Sequence, residues 1–496
     1  MSFTLESPRP RSDWYWALAL SIAALALYVR TLCPTVYWYD SAEFAAAAAL
    51  LGVPHPPGYP LYTLLGRVYV LLVPGEPAFA VNLMSAVHGA ACVGLVFLLQ
   101  RRLGSRRLAA SCGALFFATG PSFWFNSSVA EVYTTGLVLG LATWLLLLDA
   151  LAACSSRRLL LSGWLGGVGF AAHMFVATMG LGYLSLVIYG ASRAAAQRAR
   201  ILAGTALCTL VGASLYLYVP LRLSMRPALR FVETSSLGSS LWMLSGGAYK
   251  SWFLVNYDRT GRAFRVLGLL AEQLSDLGFV LGVVGVLWLL VTRRMLGLAL
   301  LLGIAGNLWF FFAYDVHDVE VFFLPSVALL SLGIGPLLTA ASELLSGKAL
   351  LRGLSHVTLG ICLAYGVLRA SLVLPTVDRS QDRSAEQYGE AVVAALPTGA
   401  LVLSCALPEE WKYHAVFAYY FQKVLGRRPD VAMVTMPADV LEGLAAGRYA
   451  AGSEPAIIAQ LRTTARPLYM YTRVAPLEPL FDFTPEGPLL RLRAKR

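Results

Sequence analysis

Apolar residues along this chain fall in long blocks separated by short polar gaps. The blocks cover residues 14–32, 80–99, 108–123, 132–153, 159–172, 175–191, 201–221, 277–291, 296–312, 322–341 and 354–374. A helix of about 20 apolar residues spans a bilayer, so the pattern predicts a polytopic α-helical membrane protein with about eleven crossings. The block at 159–172 is short for a full span. Residues 61–73 are apolar too, but Gly66 and Arg67 interrupt them. A crossing there would carry the basic stretch 101–107 to the outer side, so an interfacial helix is expected instead. The first block follows a short segment with Arg9 and Arg11 and ends without a small-residue cleavage site, which predicts a retained first helix.

The polar gaps set a direction. Basic residues gather at Arg9 and Arg11, at Arg101, Arg102, Arg106 and Arg107, at Arg157 and Arg158, at Arg193, Arg198 and Arg200, at Arg293 and Arg294, and at Lys348 and Arg352. The gaps 121–131 and 314–318 hold no Lys or Arg. Cytoplasmic loops carry the basic excess, so the first set marks the cytoplasmic ends. Residues 34–79 then form a long first outer loop and 222–276 a second, within a transmembrane domain of residues 1–374. Residues 375–496 carry more charge and proline and predict a small α/β domain on the outer face. In it, 400–405 and 430–435 have the short β-branched pattern of strands, with a helix over 409–425 between them.

Composition agrees and narrows the class. The chain of 496 residues is 57% hydrophobic and 14% charged, with a net charge of +11. That charge sits in the short gaps beside anionic lipid, which excludes nucleic acid as the partner. The seven cysteines are scattered, mostly inside apolar blocks and without a C-x-x-C pair, so they are read as small apolar filling rather than a metal or disulfide framework. No internal repeat is visible.

The threading places Asp40, Glu43, His55, Glu131, His173, His317 and Asp318 together at outer helix ends or in outer loops. Ionisable groups near membrane depth are costly and are functional candidates by default. Each also has a plainer reading. Asp40 or Ser41 can cap a helix, with Glu43 in its first turn on the same face. His55 opens His-Pro-Pro-Gly-Tyr-Pro, a stiff irregular run that can serve as a connector. Glu131 can be an acid at a helix start, and His173 can satisfy a neighbour. Asp315, His317 and Asp318 form an acidic turn whose further metal ligands the sequence does not name.

Two motifs are more specific. Trp38-Tyr39-Asp40-Ser41-Ala42-Glu43-Phe44, followed by His55-Pro56-Pro57-Gly58-Tyr59-Pro60, resembles the pattern of a family of GT-C superfamily membrane glycosyltransferases. That family includes the animal endoplasmic-reticulum O-mannosyltransferase acting on IPT domains of plexins and receptor kinases. Asn82-Leu83-Met84-Ser85, Ala130-Glu131-Val132-Tyr133, Tyr218 to Arg222, Trp242 to Tyr249 and Tyr314 to Pro325 follow in the same order. Ala42 stands where the family usually has glycine, a change a helix tolerates. Residues 375–496 carry no such resemblance.

The resemblance implies an all-α GT-C fold in a bacterial inner membrane, with the active site facing the periplasm. It implies transfer of a monosaccharide, mannose above all, from a polyprenyl-phosphate donor to a hydroxyl of a protein or glycan. The expected reaction inverts the sugar carbon. Lipid phosphate is a good leaving group, so one base and some phosphate donors suffice. Asp40 is the expected base, with Glu43 as second catalytic carboxylate. Substrate contacts are expected from His55, Tyr59, Glu131, Tyr133, His173, Arg222, Tyr249, His317 and Asp318, with Arg222 and His55 on the phosphate. No metal or other cofactor is expected. The alternatives are a flippase for lipid-linked intermediates, which usually shows repeats and broken helices, and a scaffold that binds partners through residues 375–496.

Overall fold

The computed structural model describes residues 10–232, 234–345, 349–405, 407–449 and 455–495. Arg9 and Lys348 lie outside these, as does the side chain of Arg352. Among the described residues, nine helices are long and apolar enough to cross a membrane. The other two expected crossings are shorter. One is Ser156–Ala172. The other is Arg107–Ala118, which breaks at Gly120 and resumes as Pro121–Asn126. Proline at the first helical position cannot continue the preceding helix but starts a new one without loss.

The basic clusters form ion pairs at one end of the bundle. Asp13, fully buried at the start of Arg11–Arg30, accepts from Arg101 at 2.9 Å and Arg107 at 2.8 Å. Arg102 reaches Asp149 at 2.6 Å. Helix Arg11–Arg30 rises about 30 Å and Pro77–Arg102 returns over about 39 Å, at 1.5 Å per residue. The segment between them therefore lies at the opposite end. Asn82 fixes its start, donating to the carbonyls of Cys33 and Thr35 at 2.9 Å each.

That first loop holds two short helices, Asp40–Leu50 and Pro60–Leu72. The second covers the segment expected as an interfacial helix, and Val68, Leu71 and Leu72 on it are exposed. The second outer loop, expected over 222–276, ends in a helix. That helix begins at Arg259, because Asp258 caps it through Thr260 N and Gly261 N, and it continues beyond a kink at Ser275 to Thr292, over the expected crossing 277–291. Its bend at Ser275 frees the carbonyls of Glu272 and Gln273. Arg369 takes both, at 2.9 and 2.7 Å, together with the Phe116 carbonyl at 2.8 Å. A buried arginine that satisfies a helix break in this way is the polar counterpart of a kink.

The C-terminal region forms a five-stranded sheet. The strands are β1 (Leu401–Ser404), β2 (Ala432–Thr435), β3 (Leu468–Met470), β4 (Phe481–Glu486) and β5 (Leu489–Ala494), in the order β2-β1-β3-β5-β4. β1 pairs parallel with β2 and β3, and β5 antiparallel with β3 and β4. β1 and β2 are the two expected strands. The expected helix between them starts as Pro408–His414 and winds into wider π-helical turns over Ala415–Val424. One hydrophobic core joins this region to the first loop: Ala42, Ala45, Ala46 and Ala47 pack with Ala415 to Phe421.

Candidate active site

Helix Asp40–Leu50 begins abruptly. Tyr39, its N-cap, has φ 56° and ψ −134°, a conformation that costs a non-glycine residue on the order of 1–3 kcal/mol. No side chain caps the helix, so Asp40 is not the cap its position suggested. Its carboxylate is turned outward because other groups hold it. Oδ1 accepts from the Trp411 indole N–H at 2.8 Å, and Oδ2 lies 3.8 Å from His55 Nε2.

Glu43, one turn on, is fully buried. One oxygen accepts the His55 backbone N–H at 2.9 Å and the other meets His55 Nδ1 in a very short contact. Both Glu43 oxygens are thus engaged with His55, whereas the Asp40 side chain is 38% exposed. The arrangement is a relay of buried acid, imidazole and reachable acid. Their ligand atoms lie within 4.8 Å of one another, a set of O, N and O donors that could also take a cation.

The proline-rich run supplies this geometry. Gly58 turns at φ +92°, its N–H on the His55 carbonyl at 2.9 Å, and a Cβ there would meet Val219 at 2.8 Å. Tyr249 Oη donates to the Pro56 carbonyl at 2.7 Å. An aromatic wall follows. Tyr59 lies 5.1 Å from the His55 ring and 5.5 Å from His173, and Tyr133 lies 5.2 Å from His173. His173 Nδ1 accepts from Phe175 N at 3.0 Å, so it also shapes its own turn.

Charge is concentrated here. Burial works against protonation of His55, but the charges of Asp40 and Glu43 and the bond to Glu43 prevail and lift it to about 9. Burial raises Glu43, with His55 opposing. Burial also raises Glu131 and Asp318, and Asp40 adds to both. His173 is lowered to about 3, by burial first and then by His55. The site is therefore an imidazolium surrounded by carboxyls that feel one another's charge.

The remaining predicted residues divide. Glu131 joins the cluster, its Oε1 accepting from Ser41 Oγ at 3.4 Å. His317 sits at the rim, 74% exposed, with its ring 5.4 Å from Tyr39 and its Nδ1 3.7 Å from Asp318. Arg222 is not brought to Asp40. Its Nε and Nη2 donate to the carbonyls of Leu51 and Leu50 at 2.6 and 3.2 Å, at the far end of the Asp40–Leu50 helix. The guanidinium satisfies orphan carbonyls there. Trp411 and Lys412 were missed. Both come from Pro408–His414, and Lys412 Nζ lies 5.9 Å from the Tyr39 ring. Nothing in the sequence links that segment to the first loop.

Comparison with known proteins points to the same loop. Residues 40–196 match the family model described as the Protein O-mannosyl-transferase TMEM260 N-terminal domain. The chain is 35% identical over 127 residues to Protein O-mannosyl-transferase TMEM260 of Mus musculus, covering 25% of this chain and 18% of that protein. It is 28% identical over 118 residues to the Dictyostelium discoideum protein of the same name, covering 23% and 14%. These matches thus span under a fifth of the relatives' own length. Over the whole fold, ArnT from Cupriavidus metallidurans bound to undecaprenyl phosphate aligns with a TM-score of 0.57 at 15% identity, covering 97% of both chains. Its apo state gives 0.60 at 13% identity, covering 97% and 98%. The chain is a multi-pass membrane protein with the GT-C fold, and its residues 40–196 are similar to the N-terminal domain of the TMEM260-type protein O-mannosyl-transferases.

Proposed function

We propose that this protein is an inverting glycosyltransferase that moves a monosaccharide, mannose in the first instance, from a polyprenyl-phosphate carrier to a hydroxyl of a protein or glycan. The observation that carries the reading is that Asp40 is the reachable carboxylate of a buried acid–imidazole–acid relay. The named activities of the sequence relatives and the lipid phosphate bound by ArnT support the donor class and the reaction.

The steps balance without a further reactant. The acceptor hydroxyl oxygen attacks the anomeric carbon as the bond from that carbon to the phosphate oxygen breaks. The hydroxyl proton passes to Asp40 Oδ2, and the lipid phosphate leaves with the bonding pair. His55, protonated between Asp40 and Glu43, steadies the anionic base and the departing phosphate. Lys412 beside Tyr39 is a second cation at this rim. Tyr59, Tyr133 and His173 form a wall for the sugar ring, with Glu131 and Asp318 beside it. The basic clusters at the opposite end of the bundle support an outer-face position for these residues, the periplasmic side in a bacterial cell.

The test is Asp40→Asn in membranes supplied with polyprenyl-phosphate mannose. Removing a general base lowers the rate by about 10²–10⁴-fold. Full transfer by a folded Asp40→Asn protein would remove Asp40 from the chemistry.

A further inference from the structure

Trp411 stands on the outer-face domain, 371 residues from Asp40, yet its indole N–H donates to the Asp40 carboxylate at 2.8 Å. An indole N–H can only donate, so the contact is directional: it holds Oδ1 and leaves Oδ2 toward His55 and the open side. The Trp411 ring is itself fixed against Phe231 at 6.1 Å and Tyr419 at 5.9 Å. Its helix leads into Ala415–Val424, which packs on the alanine face of the helix that begins with Asp40. Ala78 N donates to Tyr420 Oη at 3.2 Å, and Trp38 Nε1 to Ser384 Oγ at 2.8 Å, closing the same boundary. Donor and acceptor thus sit on two elements pressed into one core.

We propose that Trp411 is a positioning residue for the transfer, so that the outer-face domain completes the active site by fixing the rotamer of Asp40. This rests on the reading of Asp40 as the base. A carboxylate held by one oxygen presents the other, Oδ2, to the acceptor hydroxyl. Without the indole, Asp40 is free to rotate about χ1 and χ2, and a misplacement of about 1 Å can cost as much as 100-fold in rate. The effect belongs in kcat, because the wall and rim that bind the sugar and the lipid phosphate are left in place.

The experiment uses the full-length protein in membranes with polyprenyl-phosphate mannose. Trp411→Phe keeps the ring packing and removes the donor. It is expected to lower kcat about tenfold or more, with KM for the donor within about twofold of wild type. Ser384→Ala removes the hydrogen bond from Trp38 at the same domain boundary, and the local one to Asp382, both away from Asp40, and is expected to keep wild-type kcat. Melting temperatures establish that each variant is folded; if Trp411→Phe is not, Trp411→Met, also without a donor, takes its place. Wild-type kcat in the Trp411 variant overturns the inference alone. So does an equal loss in Ser384→Ala, which would reduce Trp411 to a docking contact. A wild-type protein inactive with every polyprenyl-phosphate sugar overturns the functional reading, and the inference with it.

Discussion

His55 is held on three sides by groups that favour its charge: Glu43 on its backbone N–H and Nδ1, Asp40 near Nε2, and Asp318 beyond. Its folded-state value of about 9 lies above its ordinary 6.5. The folded chain therefore binds more protons than the unfolded one in that window, and stability falls as pH rises through it. The contribution is whole below about 6.5 and gone above about 9. Glu43, raised from its ordinary value by burial, pushes the same way at lower pH. The melting temperature in detergent should thus decline between those two values in the wild type, and much less in His55→Asn. Equal slopes for the two proteins would mean that His55 does not titrate there. The three-residue spacing of Asp40 and Glu43 made their shared face legible in the sequence, and the proline run made a stiff loop legible. That Glu43 grips both the backbone and the ring of His55 was not, since it depends on how the chain returns over a separation of 12 residues. Arg222 was legible only as an arginine near a family motif; that its Nε and Nη2 close the end of the Asp40–Leu50 helix depends on the fold.

At the scale of elements, the helix Asp40–Leu50 owes its function to being small on one side. Its alanines other than Ala49 are fully buried, and Ala42, Ala45, Ala46 and Ala47 share a core with Ala415, Val416, Phe417 and Ala418. Read in sequence, an acid followed by an alanine run predicts a helix start, and a helix is present over Asp40–Leu50. Its partner lies about 370 residues on, in a region without recognisable resemblance, so the packing could not be read. Ala46→Leu adds three carbons to this contact. Overpacking of a tight core costs about 1–3 kcal/mol, so the variant should melt lower than wild type. It should also lose transfer activity, because Trp411 is carried on the same packed element. Ala49, half-buried on the helix, provides the comparison: Ala49→Leu should do much less. If both substitutions were equally mild, the close approach of the two helices would not be a packing constraint.

Across the whole molecule, charge is sorted along the bundle axis. Asp13 with Arg101 and Arg107, and Arg102 with Asp149, tie one end; the acid–imidazole cluster and the five-stranded sheet occupy the other. The nine long apolar helices among the described residues were legible because bilayer thickness imposes block length. The β3–β5 half of the sheet was not, because short strands in a polar domain have no comparable ruler. The positive-inside rule assigns the arginine end to the cytoplasm, and a free thiol lies where it can be tested. Cys154 is exposed just beyond Tyr133–Ala152, a helix that begins at the aromatic wall and rises about 30 Å away from it. The other cysteines are buried or half-buried. A membrane-impermeant maleimide applied to intact spheroplasts should leave Cys154 unmodified and label it once the membrane is opened. A cysteine at exposed position 442, Glu442→Cys on Ala438–Ala445, should react without permeabilisation. The opposite pattern would turn the molecule over. It would place Asp40 on the cytoplasmic side, and the lipid-linked donor would then have to be presented to that face.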